Sequence, residues 1–354
     1  MRIAAFIACC LLLALVPVIY PDPYTLSVVG AAGIMIIAAM SLNLLLGYTG
    51  QLSLGHVAFF GIGAYASALC ALGFDVYLGF GYTLVVTPKP VWLAFAVGIL
   101  AAALSGWIIG RLSFKVRGAY FVIVTICFAQ VMRLVSLNWV DLTEGPMALS
   151  AIPPLTFWHP TEGVTNITSK AGIYWLVLGV GIVCYMIIAG FVNSRVGRAA
   201  IALRENETLA RSIGIKVTHY LVLTTLLSAG MAGAAGALYA HTVRIIDPDV
   251  FLFIYTITMV IMVIAGGKGT LAGPVIGGMI FGLLPEVLRG VVEPEIQWIL
   301  YGALMILILL FLPKGIVPAF MQVLNRISGK RSLDQSASPM AGADPAKDVA
   351  KVGS

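Results

Sequence analysis

Apolar residues run along this chain in long uninterrupted blocks, each closed off by a short polar or glycine-rich stretch. Ten blocks can be read, over 3–20, 25–46, 51–74, 91–110, 119–137, 173–193, 218–242, 251–265, 271–291 and 296–312. About 20 apolar residues in a helix cross the hydrocarbon of a bilayer. The blocks are continuous rather than alternating, which excludes a β-barrel. The expected fold is therefore all-α, a polytopic membrane protein with about 10 transmembrane helices. Glycines and Pro274 interrupt 51–74 and 251–291, so eight or nine crossings with one re-entrant segment stay open.

Composition agrees with the pattern. Hydrophobic residues make up 60% of the 354 and charged residues 10%, against about 25% charged in a soluble domain. Mean hydropathy is +1.01. The net charge of +6 does not point to nucleic acid, because the basic residues flank the membrane blocks. Ten crossings put both termini on one side. With that side cytoplasmic, Arg111, Arg195, Arg198, Arg204, Arg211, Lys216, Lys268 and Lys314 fall inside. Asp22, Asp75, Asp141, Glu144, Asp247, Asp249, Glu293 and Glu295 fall outside. Such a bias sets orientation.

Residues 1–326 read as one transmembrane domain, and 327–354, rich in Ser, Asp, Ala and Pro, as a disordered cytoplasmic tail. Residues 3–20 read as an uncleaved span rather than a signal peptide. Cys9, Cys10, Cys70, Cys127 and Cys184 all lie within blocks, so no structural disulfide is expected. The outer loop 138–172 carries Trp139 and Trp158 and is expected to lie flat on the membrane surface.

One stretch breaks the apolar pattern more than any other. Residues 194–217 hold Arg, Glu, Ala and Leu between two spans on the positive side. A short helix is expected over 199–211, with Gly214 as its C-cap. Arg204, Glu205, Glu207, Leu209, Ala210, Ile213 and Gly214 are the candidate contacts to a cytoplasmic partner, with Leu209 and Ile213 filling a groove and the charges at its rim.

No catalytic cluster is legible, and the four histidines have no metal-ligand spacing. Gly266-Gly-Lys-Gly-Thr270 is not a phosphate loop, because Met262 stands where that motif needs glycine. Neither a cofactor nor an enzymatic activity is expected. Within the membrane, Arg133 reads as snorkelling to the interface, and Glu286 is the main carboxylate candidate. That scarcity argues against an ion-coupled carrier.

A second region, Met40 to Tyr65, sets Asn43, Gln51, Ser53 and His56 among five glycines. Helices broken at membrane depth tend to line a pathway, whereas glycines also serve plain close packing. Both readings stand for these four residues. Gly266–Gly273 echoes the Gly-x-x-Gly-x-Leu of Gly47–Leu52.

These residues carry a resemblance. Ser41-Leu-Asn-Leu-Leu-Leu-Gly-Tyr-Thr-Gly-Gln-Leu-Ser-Leu-Gly-His-Val-Ala-Phe-Phe-Gly resembles the signature of LivM-type permeases, the membrane subunits of ABC importers for branched-chain amino acids. Arg117-Gly-Ala-Tyr-Phe, Gly197-Arg-Ala through Arg204-Glu-Asn-Glu, and Ala265 to Pro274 support it. The resemblance covers about residues 25–315. It implies an ABC importer permease fold in the bacterial inner membrane. It also implies a LivH-like sister permease, two ATP-binding cassette ATPase subunits, a periplasmic amino-acid-binding protein and membrane lipid as partners. Glu207-Thr-Leu-Ala210 with Gly214 is similar to the family's Glu-Ala-Ala…Gly coupling motif, with Thr for the first Ala and one extra residue of spacing. A same-family permease for urea, short amides or other amino acids remains the nearest alternative.

Overall fold

A computed structural model describes residues 13–19, 21–77, 83–114, 119–159, 163–288, 293–312 and 314–327. Most of the first expected span, Cys9, Cys10 and residues 328–354 of the tail lie outside the described residues. A one-turn helix α1 (Val16–Ile19) leads to α2 (Pro23–Asn43). Asp22 caps α2, accepting from the Thr25 amide at 2.9 Å and the Thr25 hydroxyl at 2.7 Å. The same bonds hold its exposed carboxyl below the usual carboxylate range, the Thr25 backbone N–H being the largest cause. Past Asn43 the helix widens into a π-helical stretch, Leu44–Thr49, and stops at Gly50, whose φ of 74° is left-handed.

The block expected over 51–74 becomes helical only at Val57, in α3 (Val57–Leu72). Its first residues form a turn instead. Within that turn Gly55 lies so close to the Thr125 carbonyl of the neighbouring helix that no side chain fits. A hairpin of β1 (Phe74–Tyr77) and β2 (Thr83–Val86) follows, then α4 (Val91–Ser113) and α5 (Ala119–Asn138). After a short α6 (Val140–Thr143) comes a second hairpin, β3 (Thr156–His159) with β4 (Gly163–Asn166). The long α7 (Lys170–Asn193) precedes a helix pair, α8 (Arg195–Glu205) and α9 (Glu207–Ser212). The chain ends in α10 (Val217–Val243), α11 (Phe253–Gly266), α12 (Gly273–Leu288), α13 (Pro294–Phe311) and α14 (Ile316–Ile327).

Among the described residues, five helices are long and apolar enough to cross a membrane: Pro23–Thr49, Val91–Ser113, Tyr120–Asn138, Lys170–Asn193 and Val217–Val243. Val57–Leu72, Phe253–Gly266 and Gly273–Leu288 are shorter apolar helices, at the places where glycines interrupt the sequence blocks. Among the described residues, the strands are confined to the two hairpins and the remaining regular elements are helices.

Helix α10 is the centre of the bundle and is buried along most of its length. Its run Ser228-Ala-Gly-Met-Ala-Gly-Ala-Ala-Gly-Ala lets α3 and α4 close to backbone contact. A side chain at Gly63 would strike the Gly233 backbone, and one at Gly236 would strike the Phe60 carbonyl. Small residues replace the hydrophobic effect as the organiser of helix contacts inside a bilayer, because they maximise van der Waals packing. Leu100, Leu104, Ile108 and Leu112 on α4, and Ile123, Val131 and Leu134 on α5, point outward. That is the surface a lipid environment requires.

Part of the 138–172 loop packs into the bundle. Leu149 and Ile152 are buried in the core, and Leu149 bridges Ile246 through two backbone hydrogen bonds of 2.8 and 3.0 Å. Burying two large aliphatic side chains is worth several kcal/mol, about 1.5–3 each, and anchors this part of the loop. Arg133 forms a 2.8 Å ion pair with Asp249. Glu286 accepts from the Tyr24 hydroxyl. Helix α14, unforeseen from the sequence, buries Val317 and leaves Phe320 and Met321 exposed.

Candidate coupling and translocation site

The polar stretch between α7 and α10 is two helices, not the single helix expected over 199–211. Asn206 makes the break. Its backbone is extended (φ −158°, ψ 104°) and its side chain accepts from the Leu209 amide at 2.9 Å, the N-cap geometry that Asn favours. Ser194 caps α8 in the same way through the Gly197 amide at 3.1 Å. Helix α9 ends at Ser212, and Gly214, two residues on, has a left-handed φ of +87°. Ile215 donates to the Ala210 carbonyl at 3.1 Å and Gly214 to the Arg211 carbonyl at 3.0 Å. These two bonds are a Schellman closure with glycine at the left-handed position. Both ends of α9 are thus fixed by its own residues.

The underside of the pair is apolar. Leu203 and Ala210 join Leu45, Phe114, Phe121, Val217 and Leu221 in one buried cluster. The upper face is bare: Leu209 is 61% exposed and Ile213 71%. They stand four residues apart and so share a helix face. Glu207 and Arg211 pair at 3.3 Å beside them. Arg204 turns the other way. Its Nη1 donates to the Gly47 carbonyl at 2.8 Å, while Glu205 takes Nε at 3.1 Å and Nη2 at 2.5 Å.

The four polar residues of the Met40–Tyr65 region separate into distinct surroundings. Asn43 is buried and spans two backbone groups of the distant glycine loop. Its Nδ2 donates to the Thr270 carbonyl and its Oδ1 accepts from the Gly269 amide, each at 2.9 Å. His56 is fully buried, with Nε2 2.8 Å from Ser41 Oγ. The single Ser41 hydroxyl proton goes to the Ala38 carbonyl at 2.6 Å. Nε2 is therefore the donor in the His56–Ser41 bond and Nδ1 carries a lone pair. That Nδ1 and the buried Ser53 Oγ have no protein partner among the described residues. Gln51 is half-buried. Among the described residues no group of three His, Cys, Asp or Glu could hold a metal ion.

Sequence reasoning missed His241. This buried side chain donates from Nδ1 to the Pro153 carbonyl at 2.7 Å and accepts at Nε2 from Ser67 at 2.8 Å. The direction follows because a carbonyl only accepts. A histidine inside an apolar block was the available signal.

A close-packed apolar helix bundle with a capped amphipathic helix pair between two membrane-length helices is the architecture of a polytopic membrane protein. The chain belongs to the family described as the branched-chain amino acid transport system / permease component, whose model matches residues 24–309. It is 28% identical over 321 residues to the high-affinity branched-chain amino acid transport permease LivM of Salmonella typhimurium, covering 86% of this chain and 72% of that one. It is 29% identical over 290 residues to the permease LivH of Escherichia coli, covering 79% and 89%. The Pseudomonas aeruginosa permease BraD is 26% identical over 284 residues, covering 79% and 90%. No solved structure matches the chain.

Proposed function

We propose that this chain is the membrane-spanning subunit of an ATP-driven importer that moves branched-chain amino acids across a bacterial inner membrane, with both termini cytoplasmic. It pairs with a LivH-like sister permease, two ATPase subunits dock on its cytoplasmic side, and a periplasmic binding protein delivers substrate. The observation that carries the coupling half of this reading is α9. An exposed Leu209–Ile213 face on a helix capped at both ends is a rigid apolar knob for a groove on an ATPase, with Glu207 and Arg211 at the rim. Rim charges contribute little, about 1 kcal/mol or less each, so the two apolar residues dominate. Similarity to both LivM and LivH supports a paired assembly of like-folded permeases. The near absence of intramembrane carboxylates supports an external energy source.

For translocation, Ser53 and His56 offer buried polar atoms without protein partners at the inner end of α3, where a polar substrate crossing an apolar bundle would otherwise meet no hydrogen bond. Gln51 stands beside them in the chain, and Asn43 holds the neighbouring backbone in place. Uptake of radiolabelled leucine in cells lacking the gene tests the substrate class. Restoration by this chain together with its partner subunits, with isoleucine and valine competing, is the expected result. Restored uptake of urea or short amides but not leucine would move the chain to another substrate. A cysteine placed at position 207 should react with an impermeant thiol reagent only from the cytoplasmic side.

A further inference from the structure

Three connections on the cytoplasmic side, far apart in sequence, converge on a few atoms. The first is the π-widened end of α2, where a helix terminus leaves carbonyls without intrahelical partners. The second is the glycine loop between α11 and α12. The third is α8. Arg204 places its guanidinium on the Gly47 carbonyl at 2.8 Å, a cation at the negative end of a helix dipole. Its Cγ lies against Gly50, and a methyl at Gly269 would stand 2.5 Å from Nη1. Asn43 then ties the same end of α2 to Gly269 and Thr270. Thr270 itself accepts from the Gly273 amide at 3.0 Å, at the start of α12. Gly47 and Gly269 touch so closely that neither admits a side chain.

We infer that Arg204 and Asn43 form a lock that passes displacement of the α8–α9 pair directly to the end of α2 and to the α11–α12 loop. Arg204 is then a positioning residue that faces into the permease, not a rim contact for a partner. The physical reason is geometric. The apolar underside of α8 and α9 can slide, because dispersion contacts have no direction, whereas a charge-assisted bond to one carbonyl and a two-ended amide bridge fix relative position. Helix α2 carries Ser41, which holds His56, and Ser41's carbonyl accepts from Ser228 of α10 at 2.5 Å. A pull on α2 therefore reaches the polar residues at the inner end of α3.

The inference rests on the coupling reading above, and one experiment separates the two. Hydrogen–deuterium exchange is followed in the assembled complex in lipid nanodiscs, without nucleotide and with ATP plus vanadate. In the wild type the account expects exchange to change in 207–214 and also in 266–273, the latter by about tenfold, within the usual range of coupling between sites. In Arg204→Gln, and in Asn43→Ala, the 207–214 response persists and the 266–273 response is lost. A 266–273 response of wild-type size in both variants overturns the lock. So does a wild-type complex in which 207–214 responds and 266–273 does not. If neither variant inserts and assembles, the contacts hold the fold rather than transmit motion, and the lock also falls. A wild-type complex with no response at 207–214 removes the coupling reading itself and the lock with it.

Discussion

The two ends of α10 are anchored in different ways. At its outer end, His241 bonds to Ser67 and to the Pro153 carbonyl, Arg244 donates to the Ile152 carbonyl at 3.1 Å, and Leu149 pairs with Ile246. Hydrogen bonds from α3 and from the loop stretch 149–153 hold this end in place. At its inner end, the α8–α9 pair sits on α10 through apolar contacts, and its polar tie, Arg204 to Gly47, goes to α2 instead. Directional bonds make the outer end a clamp. Slippery contacts with one remote tether make the inner end a lever. Under the coupling proposed above, work delivered at one end is lost unless the other end holds still, which is what this asymmetry provides.

The comparison breaks first at Gly214. Its φ of +87° suits glycine, and although a side chain there meets open space, a β-branched residue in the left-handed region costs roughly 1–2 kcal/mol. Gly214→Val should redirect α9 and lower amino-acid uptake by about tenfold, with the chain still inserted. Gly214→Asn, which tolerates that conformation, should stay near wild type. Uptake assays normalised to membrane abundance decide it.

A smaller effect is expected at the clamp. His241→Ala strands Ser67 and the Pro153 carbonyl, which costs about 1–3 kcal/mol for a buried group. The melting temperature of the purified chain should fall, while the surviving folded fraction still binds the ATPase. Loss of ATPase binding without loss of stability would erase the distinction between the two ends. The smallest effect belongs to Asp22. Its folded pKa is depressed, so its cap stabilises α2 fully above the unfolded value of about 3.9. That contribution is lost as pH falls through the folded value. Asp22→Asn keeps a cap and should flatten this acid-side loss in a pH series of thermal melts.

Continuous apolar blocks made the membrane helices legible, and the positions of their glycines marked which would be short. Gly214 was readable as a cap because a glycine after a helix-forming run carries that signal alone. The break at Asn206 was also local, an N-cap residue between two glutamates, but the helix propensity around it hid it. What could not be read is whatever depends on a distant partner. Asn43 meets residues 226 and 227 positions away, and Arg204 meets one 157 positions away, so a charge on an amphipathic helix looked like a surface charge. The packing of the 138–172 loop was hidden for the same reason. Its tryptophans suggested the interface, while the core positions waiting for Leu149 and Ile152 exist only after α10 has packed.

The central claim is that the bare face of α9 is the seat of a partner ATPase. Co-purification of the ATPase subunits with Leu209→Asp/Ile213→Asp, at wild-type membrane abundance of this chain, tests it most directly. The account predicts that the ATPase is lost from the complex while the sister permease is retained. Full retention of the ATPase together with substrate-stimulated hydrolysis would contradict it.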